Sequence, residues 1–277
     1  MPSVTLTGRA FLRLSDKDAE PFLQALITTD LPSMPEDEVR PGALLTPQGK
    51  ILFAFLIRRD AETAFLIETD GAERDALLKR LTLYKLRAAV EIAAVEGDAV
   101  TVSWAPAEGP RDARFAAAGL AVSRRPGSGG SDDPALYDAL RIDAGLPEAG
   151  RDYALSDAFP HDVLLDLSAG LSFRKGCYVG QEVVSRMQHR GTARRRPVIV
   201  TGEAPLPSEG TQLTAGGKPV GTLGTVHGAR GLAIVRLDRA ADAMRADMPV
   251  MAADVPVRLA LPEWTGLAFP QEAAEVP

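Results

Sequence analysis

The hydrophobic pattern of this chain changes character at Pro197, and that change limits what it can fold into. Beyond it, residues 198–201, 211–214, 219–226, 232–237 and 255–261 are short runs of β-forming residues. Turns containing Gly or Pro separate them. Short strands so spaced predict a small all-β barrel, in which closure removes the unpaired sheet edges.

Upstream the pattern mixes two periods. Ser15-Asp16-Lys17-Asp18 has the form of a helix N-cap with an acid three residues on. Ala19, Phe22, Leu23, Leu26 and Ile27 follow at helical spacing. Residues 51–57 form a continuous apolar run between Gly49 and Arg58, which predicts a buried strand with 64–67 as its neighbour. Residues 72–86 predict an amphipathic helix with Leu77, Leu78 and Leu81 inward. Two strands, 90–95 and 100–104, flank a Glu96-Gly97-Asp98 turn. Asp133-Pro134 opens a further helix, with Leu136, Leu140 and Ala144 on one face and Gly145 ending it. The expected class is α+β, with a ferredoxin-like order in the first half. The expected domains are an α+β body over 1–196, interrupted by a flexible Pro/Gly/Ser loop near 124–134, a barrel over 197–264 and a tail over 265–277.

Composition narrows the function classes. A net charge of −6 argues against a nucleic-acid binder. A single cysteine excludes an internal disulfide and points to a reducing compartment. No signal peptide is evident, and no apolar run approaches the roughly 20 residues that span a bilayer. The expectation is a cytoplasmic protein that binds neither nucleic acid nor membrane.

That cysteine lies in Lys175-Gly176-Cys177-Tyr178-Val179-Gly180-Gln181-Glu182. Val183, Val184 and Met187 then have helical spacing, and Gly191 sits where a C′ glycine belongs. A thiol before a helix N-terminus and behind Lys175 is biased toward thiolate. Gly176 and Gly180 permit positive φ and close approach of a ligand to backbone. The competing reading of Cys177 is a small, inert core residue. Glu182 serves equally as a dipole partner or a ligand contact, and Gln181 as a cap. Arg186, His189, Arg190, Arg194, Arg195 and Arg196 are either a solvated face or a carboxylate site. One cysteine cannot hold a zinc or iron–sulfur site alone, and His161, His189 and His227 lack metal spacing, so no stably bound metal is expected. No P-loop or dinucleotide fingerprint is present.

The octapeptide resembles the signature of the YgfZ-type folate-binding proteins, relatives of the mitochondrial iron–sulfur assembly factor of that family. The wider fold is similar to the glycine-cleavage T-protein, an aminomethyltransferase. Residues 22–30 (FLQALITTD), 44–50 (LLTPQGK), 141–147 (RIDAGLP) and 190–196 (RGTARRR) are similar to further family segments, in order. The resemblance implies two ferredoxin-like halves forming a folate-binding body, with a C-terminal barrel. It implies a tetrahydrofolate-binding factor for assembly or repair of 4Fe–4S proteins, working with client or assembly partners. Cys177 is then the motif thiol with Lys175 beside it. Asp30, Tyr178, Gln181, Glu182 and Arg186 are the expected folate contacts, with Asp30 and Glu182 toward the pterin. Two departures stand out. The stretch after the glycine turn, 51–56, lacks the T-protein's catalytic carboxylate, which argues against aminomethyl transfer. Asp162 stands where the family more often has glutamate. The alternatives are a one-carbon transferase or demethylase on an amine, and a non-catalytic adaptor with a vestigial pocket.

Overall fold

The computed structural model describes residues 2–105 and 109–271. Of the expected tail, 272–277 lie outside the described residues. The chain begins with β1 (Ser3–Thr7), β2 (Arg9–Ser15), α1 (Ala19–Gln24), β3 (Glu38–Leu45), β4 (Ile51–Ala61) and β5 (Ala64–Asp70). It continues through α2 (Arg74–Lys85), β6 (Glu91–Val95), β7 (Ala99–Trp104), β8 (Arg111–Asp112), α3 (Ala113–Ala117) and β9 (Val122–Pro126). These strands form one nine-stranded sheet in the order β1-β7-β9-β8-β3-β4-β5-β2-β6. Strand neighbours are antiparallel except β3 and β8.

Period-2 alternation selects the core face of this sheet. Leu12 and Leu14, Phe53, Phe55 and Ile57, and Phe65 and Ile67 join one buried cluster. Phe22 and Leu23 of α1 and Leu77 and Leu81 of α2 pack onto it. Burying each such side chain contributes about 1.5–3 kcal/mol. Elsewhere in the sheet, Glu68 accepts from Arg124 at 2.6 Å and from Arg9 at 2.9 Å. Burial pushes the Glu68 carboxyl up, but the charges of Arg124 and Arg9 outweigh it and hold it at about 2.

The expected loop near 124–134 needs correction. Residues 124–126 belong to β9, an interior strand, and Arg124 is buried by its ion pair. The Gly-rich stretch that follows is pinned to β1. Thr5 Oγ1 donates to the Gly130 carbonyl, and the Ser3 N–H donates to Asp132 Oδ2 at 2.7 Å. A Cβ on Gly130 would lie 2.2 Å from the Val4 carbonyl carbon, so this glycine serves close approach.

Next come α4 (Ala135–Ala144), a 3₁₀ turn (Pro160–Val163) and α5 (Gln181–Arg190). On α4 the buried residues are Tyr137, Arg141, Ile142 and Ala144. Leu136, expected inward, is exposed, because the fully buried Arg141 sets which face turns in. The last segment holds β10 (Arg195–Gly202), β11 (Gln212–Ala215), β12 (Lys218–His227), β13 (Arg230–Arg236), α6 (Leu237–Arg245), β14 (Val250–Ala252) and β15 (Val255–Ala260). Its strands close as a barrel in the order β10-β13-β12-β11-β14-β15. Val198, Val200, Leu213, Leu223, Val235 and Val257 fill it, with Ala240 and Ala243 of α6. The mixed α+β class and the closed barrel agree with the sequence expectation.

The chain divides into two compact units. The first takes residues up to 134 together with 165–185, and the second 135–164 with 186–277. A single cut at 196/197 does not describe this. Residues 135–164 belong with the barrel because their polar groups are satisfied there. Arg141 donates to Thr225 Oγ1 at 2.8 Å, the Thr225 N–H donates to Asp152 Oδ1 at 2.6 Å, and Arg196 donates to the His161 carbonyl at 2.6 Å.

Candidate functional site: the cysteine loop of the first unit

Cys177 is exposed, which rules out the inert core residue. The chain before it is fastened to the stretch after α1. Thr28 Oγ1 donates to the Gly170 carbonyl at 2.6 Å. The Ser172 N–H donates to the Thr28 carbonyl at 3.0 Å. Lys175 Nζ donates to the carbonyls of Ile27 and Thr29, both at 2.7 Å. Three consecutive carbonyls therefore accept hydrogen bonds from the loop that carries the thiol. They are free to do so because α1 ends at Gln24 and leaves them outside a helical ladder.

After the cysteine, a second contact fixes the loop. The 46–50 turn closes with the Thr46 N–H donating to the Lys50 carbonyl and the Gly49 N–H to the Thr46 carbonyl, both at 2.8 Å. Gly180 has φ +79°, and a Cβ there would meet the Thr46 oxygen at 2.6 Å and Gly49 Cα at 3.1 Å. Gly49 has φ +80° and abuts Val183 at the start of α5. The two glycines let the turn and the helix start meet at backbone distance. Gly176 behaves otherwise: its φ is not positive, and a Cβ added to it would meet nothing within 4 Å. Thus only Gly180 of the two motif glycines is demanded by geometry.

The expected site residues fall into two groups. Lys175 and Tyr178 are buried; Glu182 and Arg186 are not, and both lie on α5. Lys175 Nζ stands 5.4 Å from the centre of the Tyr178 ring. Burial pulls the Lys175 ammonium down to about 8, with Asp30 opposing. Burial alone pushes the Tyr178 hydroxyl up to about 12, and that hydroxyl has no hydrogen-bond partner among the described residues. Asp30 Oδ1 accepts from the Gln24 amide at 2.8 Å. Gln181 Oε1 accepts from the Tyr178 N–H at 3.3 Å, bracketing the helix start. The expected thiolate-favouring role of Lys175 meets a different observation, because its ammonium is committed to carbonyl oxygens.

The basic stripe divides as well. Arg195 pairs with Asp157 at 2.8 Å and Asp162 at 2.7 Å, and Arg196 is buried against the His161 carbonyl. Both are therefore structural. Arg186, His189, Arg190 and Arg194 keep solvent access. Asp162 is buried and caps the 3₁₀ turn by accepting from the Phe159 N–H at 3.0 Å. Burial raises its carboxyl, against the pull of that N–H and of Arg195. The polar contacts of Asp162 are thus internal ones. Sequence reasoning misses the carbonyls of 27–29, since backbone acceptors leave no residue signature.

The orphaned Tyr178 hydroxyl is the observation that bears on a bound folate. A polar atom buried without a partner is normally satisfied by something additional. With carboxylates at Asp30 and Glu182 and the Gln181 amide, the donor set has the chemistry a pterin requires: acceptors for ring N–H groups and a hydroxyl for a ring oxygen or nitrogen. In residue type, the set is what the resemblance assigns to a folate. Among the described residues, no three or more His, Cys, Asp or Glu side chains are placed to hold a metal ion.

Comparison with known proteins places this architecture. Residues 194–267 match the family described as the CAF17 C-terminal beta-barrel domain. The fold is similar to that of the glycine cleavage system aminomethyltransferase T from Bartonella henselae, with a TM-score of 0.67 over 94% of this chain and 85% of that one, at 16% identity. The protein is thus of the aminomethyltransferase fold class with a CAF17-type barrel. The mitochondrial iron–sulfur cluster assembly factor IBA57 of Mus musculus is 31% identical over 278 residues, covering 83% of this chain and 76% of that protein. Its Homo sapiens counterpart is 30% identical over 305 residues, covering 94% and 84%. The chain belongs to the IBA57 family of iron–sulfur cluster assembly factors. Those two relatives are mitochondrial by name; in this protein no described helix is long and apolar enough to cross a membrane.

Proposed function

We propose that this protein is a tetrahydrofolate-binding factor of the YgfZ type that assists assembly or repair of 4Fe–4S proteins, using Cys177 with a partner. The observation that carries the reading is convergence. Two early segments, 27–29 and 46–50, fasten the distant loop 170–182 on either side of one exposed thiol. A single thiolate cannot complete a cluster's coordination, so the remaining ligands come from a client or assembly protein. Tetrahydrofolate, when bound, supplies a one-carbon-carrying amine and a reducing pterin. Asp30, Tyr178, Gln181 and Glu182, all of the first unit, would hold the ring. The apolar start of β4 has no carboxylate to orient an amine, which weighs against aminomethyl transfer.

Two measurements test this. In cells lacking the protein, 4Fe–4S enzyme activities are compared after return of wild type, Cys177→Ala or nothing. Wild type restores activity and Cys177→Ala does not; full rescue by Cys177→Ala would remove the thiol role. Calorimetric titration with tetrahydrofolate gives saturable binding that Asp30→Asn weakens about tenfold, the scale of one charged hydrogen bond of ~1.5 kcal/mol. Absence of heat with the wild type would leave the adaptor reading standing.

A further inference from the structure

We infer that Lys175 is a positioning residue, which clamps the cysteine loop to the carbonyls of Ile27 and Thr29 and so fixes where Cys177 is presented. This rests on the proposed role of Cys177 and replaces the idea that Lys175 makes the thiolate.

The geometry separates the two roles. An activating cation directs its charge at the sulfur. Lys175 is buried, with two of its three N–H groups donated to carbonyl oxygens at 2.7 Å, while Cys177 is exposed. The charge that acts on the ammonium is that of Asp30, and the ring beside it is Tyr178. The clamp is also registered. The bonds to Ile27 and Thr29 straddle the one from the Ser172 N–H to the Thr28 carbonyl, so the loop cannot slide by a residue without breaking all three. On the far side, Gly180 locks against Thr46 and Gly49. Gly176 and Cys177 lie between two fixed points, and only that short span is open.

Residue type supports the same role. An ammonium is a compact donor whose three N–H groups point in different directions, which suits two carbonyls two residues apart. A guanidinium presents a planar fork suited to a carboxylate.

The test uses the full-length protein and the variants Lys175→Met, Lys175→Arg and Cys177→Ala. Iodoacetamide alkylation of Cys177 is followed from pH 6 to 10, and amide hydrogen exchange is followed over 170–178. In Lys175→Met the midpoint of the alkylation profile stays put, while exchange over 172–178 accelerates about tenfold, the consequence of losing ~1.4 kcal/mol of local stability. Recovery of 4Fe–4S enzyme activity falls several-fold. Lys175→Arg keeps the charge and gives the same midpoint with the same faster exchange. A midpoint raised by about one unit in Lys175→Met, with exchange unchanged, would establish an electrostatic activator and overturn the clamp. Wild-type exchange over 172–178 in Lys175→Met, whatever the midpoint, would show that these bonds do not hold the loop, and would overturn it as well. If Cys177→Ala restores activity, the functional reading fails, but alkylation and exchange still decide the clamp.

Discussion

Two buried cations, one in each unit, are treated in opposite ways. Arg141 is fully buried and meets Asp152 at 2.8 Å, Asp138 at 3.0 Å and Glu148 at 3.8 Å. Burial lowers its pKa, but Asp152 and Glu148 outweigh that and the net direction is upward. Lys175 is buried with carbonyl dipoles and has Asp30 as its opposing charge; its pKa falls to about 8. Arg141 is neutralised and serves as a rivet between α4 and the barrel. Lys175, unlike the Glu68-paired Arg124 of the same unit, is left under-compensated, in a loop that also carries the Tyr178 ring and an exposed thiol. Tension of that kind collects where a protein does chemistry or binds.

The contrast is broken most forcefully at Arg141. Arg141→Met strands Asp152 as a buried charge, and denaturant unfolding should show a loss of about 3–5 kcal/mol. Gly180→Ala comes next, because it forces a Cβ onto the Thr46 oxygen at φ +79°. A loss of about 2 kcal/mol is expected, with faster alkylation of Cys177, since the strain falls on the loop's anchor.

Lys175→Met is milder at pH 7, about 1 kcal/mol, because losing two hydrogen bonds is offset by no longer burying a cation. Its sharper signature is in pH. The folded lysine titrates near 8 and the unfolded one near 10.5, so between these values the unfolded chain holds more protons. Wild-type stability therefore gains a rising component from about pH 8 to 10.5, which Lys175→Met removes; unfolding curves at pH 7.5 and 10 measure it. Asp157→Ala tests the exposed end of the scale. Its pair with Arg195 is partly solvated, and the change in stability should stay near ~0.5 kcal/mol.

Much of this architecture is readable in the residues. Five of the six barrel strands follow from short β-forming runs between turns, and β4 from its apolar run; β14, three residues long, does not. The C′ glycine of α5, Gly191 at φ +60°, stands where the helical spacing puts it. What escapes a reading of the sequence is carried by tertiary partners. Strand β9 looks like a linker because its charges, Arg124 and Arg125, sit beside a Pro/Gly stretch; partners on other strands, Glu68 above all, make Arg124 a core residue. Helix α6 has a clear helical period, with Leu237, Ala240 and Ala241 buried against a charged face of Asp238, Arg239 and Asp242, but it is short and set among β-forming runs, which mask it. At the site, Cys177, Lys175 and Gly180 all stand out in the octapeptide. The role of Lys175 does not, because its partners are main-chain oxygens 146 and 148 residues away.

That separation has a consequence for biogenesis. The carbonyls of Ile27 and Thr29 leave the ribosome long before Lys175 does, and the intervening α4 segment joins the other unit. The loop can latch only once residues on both sides of that insertion have been made, a late, long-range closure. Until then the thiol is attached to an unlatched chain end, so competence to present it is acquired as the last act of folding the first unit.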